Sequence, residues 1–234
     1  MSAGILYLIP APLGESDISG TIPDAVRKRI AKLDCFVVEH PKTARKFLKQ
    51  AGVMRLQSIS ISILDEHTHA NELENLLEPL LSGRDVGLLS EAGCPAVADP
   101  GAALVRLAHK KNIRVIPLIG PSSVLLALMA SGLNGQRFAF HGYLPIDRRA
   151  LAAKLVELEK ESQLRDQTQI FIETPYRNQK LLACIMLACR DDTVLSISSG
   201  LTTAEEFIST KTVKDWRLQL PNLQDTPAVF LLHG

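Results

Sequence analysis

No apolar run in this sequence approaches the roughly 20 residues that are needed to cross a bilayer, so we expect no membrane-spanning segment. Aromatic residues make up only 5% of the chain, and no base-stacking platform stands out. An excess of one charge sign is also lacking, since 26 basic residues face 25 acidic ones. With 46% hydrophobic residues, this balance excludes an intrinsically disordered chain.

Cysteines are few and lie at no spacing that is typical of a metal site or a disulfide framework: Cys35, Cys94, Cys184 and Cys189. The N-terminus shows no basic region ahead of an apolar one, so no secretory signal is apparent. We therefore expect a protein of the reducing cytoplasm that holds no metal ion.

Several short motifs of common enzymes are absent as well, namely GxxxxGKS/T, GxGxxG, GxSxG and HExxH. Their absence disfavours the usual P-loop nucleotidases, dinucleotide-dependent enzymes, α/β-hydrolases and zinc proteases.

What the first half of the chain does contain is an alternation of strand-like and helix-like patterns. Continuous apolar runs predict strands at residues 5–9, 35–39, 59–64, 85–90 and 114–119. Helices are predicted at residues 43–51 and 71–81, the second with Leu73, Leu76, Leu77, Leu80 and Leu81 on one face. A further helix is expected to open at Asp99-Pro100-Gly101, with Asp99 as its cap. This alternation predicts a mostly parallel sheet that is covered on both faces.

The pattern changes after Gly120. Helices are predicted at residues 121–130, 148–162 and 175–189, and strands at 138–143, 169–173, 194–198, 207–213 and 229–232. The last strands follow one another without long helices, which favours antiparallel pairing. We therefore predict an α/β protein of two α/β domains, 1–117 with a mostly parallel sheet and 118–234 with a mixed sheet.

Charge is unevenly distributed along the chain. Residues 27–55 carry nine basic side chains and two acidic ones, whereas residues 65–91 carry seven acidic and one basic. The basic segment can track a phosphate backbone, or it can be an ordinary solvated helix face.

Four loops rich in glycine or proline follow predicted strands, at residues 10–14, 90–101, 120–123 and 173–177. Ligands of open α/β sheets bind outside the carboxyl ends of the strands, and small residues there allow close approach to the backbone. The four loops together predict a ligand that is lodged between the two domains.

In chain order, the segments PxPLG, SEAGCPAVADPG, IGPSS, HGYLP and IETPYR resemble the tetrapyrrole-methylase-type (class III) S-adenosylmethionine methyltransferases. The resemblance covers essentially the whole chain and is greatest to the branch that methylates a cytidine ribose 2′-hydroxyl in small-subunit ribosomal RNA. Its most specific part is the SxAGxPxxxDPG stretch. The chain departs from that branch at Ala11, Glu15, Glu91 and Cys94, and at residues 40–42, where an Asp-Thr-Arg run is replaced.

The resemblance implies two α/β domains with S-adenosylmethionine in the cleft between them, usually in a homodimer. The residues that it assigns to the cofactor are Pro12, Leu13, Gly14, Glu91, Ala92, Cys94, Ser122, Ser123, Thr174, Pro175, Pro227 and Ala228.

Methyl transfer from a sulfonium requires no metal, and most of the acceleration can come from positioning the two reactants in line. A ribose hydroxyl is a poor nucleophile, so a nearby base or cation assists it. The segment after the second strand offers both: Glu39 or His40 is expected to orient the acceptor, and Lys42 and Arg45 to hold phosphate. The expected partner is ribosomal RNA or the small ribosomal subunit.

Two other functions stay open at this point. A small-molecule methyltransferase of the tetrapyrrole or corrin type fits the near-neutral charge and the altered substrate segment. A cofactor-binding protein with degraded catalysis fits the loss of the Asp-Thr-Arg run.

Overall fold

Two five-stranded sheets organise the chain in a computed structural model that describes residues 2–65, 67–223 and 225–234. Each sheet belongs to one of two compact units, Met1–Ser122 and Ser123–Gly234.

The first sheet is parallel throughout, and its strand order is β3-β2-β4-β1-β5. Its strands are β1 Ile5–Ile9, β2 Cys35–Val38, β3 Ser60–Ile63, β4 Val86–Leu89 and β5 Arg114–Pro117. Every residue of β2 and β4 is buried, because helices cover both faces of the sheet. The predicted parallel sheet is confirmed.

Among the described residues of the first unit, six helices form its two outer layers: α1 Ile18–Thr21, α2 Asp24–Ile30, α3 Pro41–Gln50, α4 Ala70–Leu76, α5 Glu78–Leu81 and α6 Ala102–Lys110. Side chains of a strand alternate between faces, so Phe36 and Val38 share a core with α1, α2 and α3. Cys35 and Val37 share the opposite core with α4, α5 and α6.

The second sheet is mixed, with strand order β6-β7-β10-β8-β9. Its strands are β6 Phe138–Tyr143, β7 Thr168–Glu173, β8 Val194–Ser199, β9 Phe207–Thr212 and β10 Ala228–His233. β6 and β7 are parallel, whereas β10 is antiparallel to both β7 and β8, and β8 is antiparallel to β9. The predicted mixed sheet with antiparallel final strands is confirmed.

Helices also cover both faces of the second sheet: α7 Ser123–Ser131, α8 Arg148–Arg165, α9 Asn178–Ala188 and α10 Val213–Leu218. α8, α9 and α10 enclose a core that contains Phe171, Phe230 and Trp216. α7 lies on the other face, where Thr210 Oγ1 donates to the Ser131 carbonyl at 2.9 Å. No helix among the described residues has both the length and the apolar character for crossing a membrane.

Three helix predictions were wrong in detail. The helix expected over 71–81 is two helices that break at Leu77, since Pro79 near the start of α5 cannot donate a backbone hydrogen bond, and Leu81 is 52% exposed. Asp99 does not cap α6, because the cap is Gly101 at φ 131°. The last predicted helix begins with a separate 3₁₀ turn at Pro175–Arg177.

Candidate active site

Three loops meet at one edge of the first sheet. β2, β4 and β1 are adjacent and parallel, so the segments that follow them leave from the same edge. Two backbone hydrogen bonds between Ala11 and Gly93, of 2.9 and 3.0 Å, fasten the loop after β1 to the loop after β4. Ser90 Oγ also donates to the Gly93 carbonyl at 2.9 Å. The loops after β1 and β4 are therefore held together by hydrogen bonds.

A cavity of about 460 Å³ opens at this edge. Five residues predicted to bind the cofactor line it: Pro12, Leu13, Gly14, Glu91 and Ala92. Thr43 and Lys46 of α3 line it as well. Lys46 Nζ donates to Glu15 Oε1 at 2.8 Å, and this contact lowers the pKa of the Glu15 carboxyl.

Glu91 is anchored by the segment that follows β2. Thr43 Oγ1 lies 2.7 Å from Glu91 Oε1 and 2.9 Å from Oε2, so its hydroxyl donates to the carboxylate. His40 Nδ1 lies 3.8 Å from Oε1. The structure thus brings His40, predicted to be catalytic, next to Glu91, predicted to bind the cofactor. Thr43 was missed by the sequence analysis, although it lies in the segment singled out there.

The other predicted catalytic residues lie around the same segment. Glu39 follows β2 directly and is half-buried, whereas Lys42 and Arg45 are exposed on α3. Arg45 Nη1 donates to the Leu56 carbonyl at 2.6 Å, so part of this guanidinium is engaged within the chain.

Asp99 is the second residue that the sequence analysis did not single out for this site. Burial, followed by the negative charges of Glu39 and Glu91, raises the pKa of Asp99 to about 6. Its Oδ2 is shielded from solvent and has no hydrogen-bond partner among the described residues. In the sequence, Asp99 could have been noticed from the Asp-Pro-Gly run that ends the loop.

Two alanines of this loop have left-handed backbones, Ala96 at φ 66° and Ala98 at φ 59°.

Cys94 and Ser122 meet where the loop after β5 reaches the same edge. Cys94 Sγ donates to the Pro121 carbonyl at 3.5 Å. Burial raises the pKa of the Cys94 thiol, and a hydrogen bond with the Ser122 side chain opposes this rise. Cys94 is therefore a neutral thiol at physiological pH.

The remaining predicted cofactor residues belong to the second unit. Ser123 is the first residue of α7. Ala228 is paired with Glu173 across antiparallel strands, so Thr174, Pro175, Pro227 and Ala228 share one end of the second sheet. There the buried Glu173 carboxylate accepts from the Thr174 backbone at 2.7 Å and lies 2.8 Å from Arg177 Nη2.

No three His, Cys, Asp or Glu side chains are placed to hold a metal ion within residues 2–65, 67–223 and 225–234.

Comparison with solved structures bears on the fold. The chain superposes on the methyltransferase CobJ with a TM-score of 0.65 and 19% identity, covering 100% of this chain and 95% of CobJ. For the uroporphyrin-III-C-methyltransferase of Thermus thermophilus the TM-score is 0.53 at 18% identity, and the superposition covers 98% of this chain and 92% of that protein. The predicted tetrapyrrole-methylase-like fold is confirmed. No family model matches the sequence.

Comparison with curated sequences gives relatives that bear the name ribosomal RNA small subunit methyltransferase I, and three of them align along nearly the whole chain. The Vibrio cholerae protein is 31% identical over 235 residues, which is 99% of this chain and 78% of the relative. The Haemophilus influenzae protein is 29% identical over 99% of this chain and 79% of its own length. The Streptococcus pyogenes serotype M6 protein is 32% identical over 97% of this chain and 74% of its own length. The chain therefore belongs to the ribosomal RNA small subunit methyltransferase I family.

Proposed function

We propose that this methyltransferase takes a methyl group from S-adenosylmethionine and transfers it to ribosomal RNA of the small subunit, at a cytidine ribose 2′-hydroxyl. The observation that carries the proposal is the cavity at the carboxyl edge of the first sheet, lined by Pro12, Leu13, Gly14, Glu91 and Ala92. The name shared by the relatives supports the choice of RNA as acceptor.

The residues of this cavity fit the proposed donor. A volume of about 460 Å³ lies in the range of small-ligand pockets. Gly14 is exposed, so its backbone groups can approach a ligand closely. The Glu91 carboxylate, fixed by Thr43, is suited to ribose hydroxyls or to an ammonium group. Cys94 and Ser122 adjoin the same loops, and we assign Ser123, Thr174, Pro175, Pro227 and Ala228 to the donor from the second unit.

The side chains that follow β2 are placed to act on the acceptor. S-adenosylmethionine, when bound, supplies a methyl group on a sulfonium, so the protein has mainly to position and activate the hydroxyl. His40 is 65% exposed at its side chain, and its Nδ1 faces the Glu91 carboxylate. A carboxylate in this position can orient the imidazole ring. Glu39 or His40 thus orients the acceptor hydroxyl, while Lys42 holds phosphate beside it and Arg45 supports that role.

We further propose that the enzyme works as a homodimer, as the family resemblance implies, and that it works in the cytoplasm, as its cysteine usage indicates. The apolar helix α7 supports self-association, since Leu125 and Met129 are 52% and 80% exposed.

The experiment that tests this function uses donor carrying a labelled methyl group and small ribosomal subunits from cells that lack the enzyme. We expect label in the RNA at a ribose 2′-oxygen. His40→Ala is expected to lower turnover while donor affinity, measured by calorimetry, is kept. The control His109→Ala removes an exposed imidazole of α6 and is expected to change neither.

Each competing function gives a different outcome. Label that enters tetrapyrroles of a cell extract, and not RNA, would establish the small-molecule alternative. Donor binding without any transfer would indicate degraded catalysis. Absence of donor binding would overturn the proposal as a whole.

A further inference from the structure

The basic residues of 27–55 are gathered on one layer of the first unit. α2 and α3 pack on the same face of the sheet through Val26, Ile30, Ala44, Phe47 and Leu48. Since these apolar side chains face the sheet, the charged positions of both helices are turned away from it. The charged positions of α2 and α3 therefore lie on the outer side of the same layer.

The structure separates these nine residues into two groups. Four hold contacts within the chain: Arg27 with Asp24, Arg29 with the Tyr7 ring, Arg45 with the Leu56 carbonyl, and Lys46 with Glu15. The other five are exposed, and their side chains form no ion pair or hydrogen bond among the described residues; we name them the basic surface: Lys28, Lys32, Lys42, Lys49 and Arg55. Their charge is therefore available to a partner.

The basic surface leads from the ends of two helices to the rim of the cavity. The C-terminal ends of α2 and α3 adjoin each other, since a Cβ placed on Gly52 would lie 4.0 Å from the Ala31 methyl. Lys32 and Lys49 belong to these two ends. Lys42 lies seven residues before Lys49 on α3, about 10 Å along the helix axis. In the turn that follows Lys42, the residues Thr43, Ala44 and Lys46 line the cavity.

The opposite layer has a different distribution of charge, with acidic side chains on α4 and α5 and basic ones at the end of α6. α4 and α5 carry Glu72, Glu74 and Glu78 and no basic residue, and they cover the other face of the same sheet. A polyanion is therefore attracted to the α2–α3 side and repelled from the α4–α5 side.

We propose that the basic surface docks the phosphate backbone of the RNA substrate, so that the RNA follows α3 and delivers its ribose to the cavity. This inference rests on the proposed function, because RNA is the polyanion that such a methyltransferase has to hold. Each lysine that neutralises a phosphate releases a counterion, so binding must weaken as salt rises.

The test measures the affinity of the full-length protein for a labelled single-stranded oligocytidylate by fluorescence anisotropy at salt concentrations from about 50 to 200 mM. In the Lys32→Gln/Lys49→Gln variant, the slope of log affinity against log salt is expected to fall in magnitude by about 1.4, at roughly 0.7 for each phosphate that is no longer neutralised. The matched control Lys110→Gln/Lys111→Gln removes the same charge from the end of α6 on the opposite layer. Its slope is expected to equal that of the wild type.

A charge-conserving variant and a competition experiment test whether the positive charge itself binds the RNA. Lys32→Arg/Lys49→Arg keeps the charge and is expected to keep the slope, which distinguishes the removal of a positive charge from damage to a helix end. A wild-type slope in Lys32→Gln/Lys49→Gln, an equal fall in both glutamine variants, or equal competition by anionic phosphatidylglycerol vesicles would overturn the proposal. Failure of the proposed function is separate from these results, since it shows as absent methyl transfer while RNA binding still depends on Lys32 and Lys49.

Discussion

Replacement of Asp99 by Asn is expected to change how the stability of the protein depends on pH. In the folded protein, burial and the charges of Glu39 and Glu91 raise the pKa of Asp99 from 3.8 to about 6. The native state therefore binds this proton more tightly than the unfolded chain does. The resulting stabilisation is complete below pH 3.8 and is lost as the pH rises through about 6.

The size of this effect follows from the same pKa. A rise from 3.8 to about 6 corresponds to a free energy of about 3 kcal/mol. Because the Asp99 side chain is only partly buried, solvent screening reduces this to about 1–2 kcal/mol. Wild type is expected to lose that amount between about pH 4 and pH 7, relative to Asp99→Asn.

Urea unfolding of both proteins across this pH range measures the difference. Only the change of the difference with pH matters, so a constant offset caused by the amide does not disturb the test. Asp65→Asn is a suitable control, because hydrogen bonds from His67 and Thr68 lower the pKa of Asp65 and its contribution has the opposite sign. Parallel curves for wild type and Asp99→Asn would show that the Asp99 carboxyl is not shielded as described.

Three further substitutions test the loops and the second unit. In Gly120→Ala the new Cβ would lie 2.2 Å from the Pro10 Cγ, so we expect a destabilisation of about 1–3 kcal/mol in urea unfolding; unchanged stability would contradict the close approach of these loops. Ala98→Gly relieves a left-handed backbone at φ 59° and is expected to stabilise by about 0.5–1 kcal/mol, whereas a lower unfolding midpoint would refute the strain. Arg177→Ala leaves the Glu173 carboxylate, 1% exposed, without its cation; we expect a loss of about 3 kcal/mol, partly restored by Glu173→Gln in the same chain.

The buried strands of the first sheet, such as β1 and β2, could be predicted from the sequence because their apolar runs are continuous. β2 and β4 are buried on both faces, and a run such as Cys35–Val38 has no polar residue that would suggest an exposed side. In the second unit, the short connection between β8 and β9 favoured antiparallel pairing, and β10, which follows α10, is antiparallel to β7 and β8.

Helix boundaries were harder to predict, because periodicity does not show where backbone hydrogen bonding fails. Leucines at 73, 76, 77, 80 and 81 fit one helical face, yet Pro79 divides the segment into two helices and leaves Leu81 exposed. Asp is a residue type that often caps helices, so Asp99 was expected to cap α6. The cap is instead Gly101, two residues later, at a φ of 131°.

The loops of the candidate site could be found from glycine, proline and their position after strands, but their side-chain contacts could not. Thr43 and Glu91 are 48 residues apart, and their hydrogen bond exists only because β2 and β4 are neighbours in the sheet. In the same way, the raised pKa of Asp99 comes from burial and from carboxylates contributed by two different loops. Spacing along the chain carries no information about such contacts.

The charges of the first unit suit two substrates of opposite sign. Glu39, Glu91 and Asp99 place negative charge at the carboxyl edge of the sheet, whereas the basic surface lies along α2 and α3. Under the proposed function, a cationic sulfonium is favoured near the carboxylates and a polyanionic RNA is favoured along the helices. α3 adjoins both regions, since Thr43 holds Glu91 at the cavity and Lys49 lies six residues further along the same helix. This single helix would therefore set the distance between the methyl donor and the RNA backbone, and a change in its length should impair transfer more than it impairs the binding of either substrate alone.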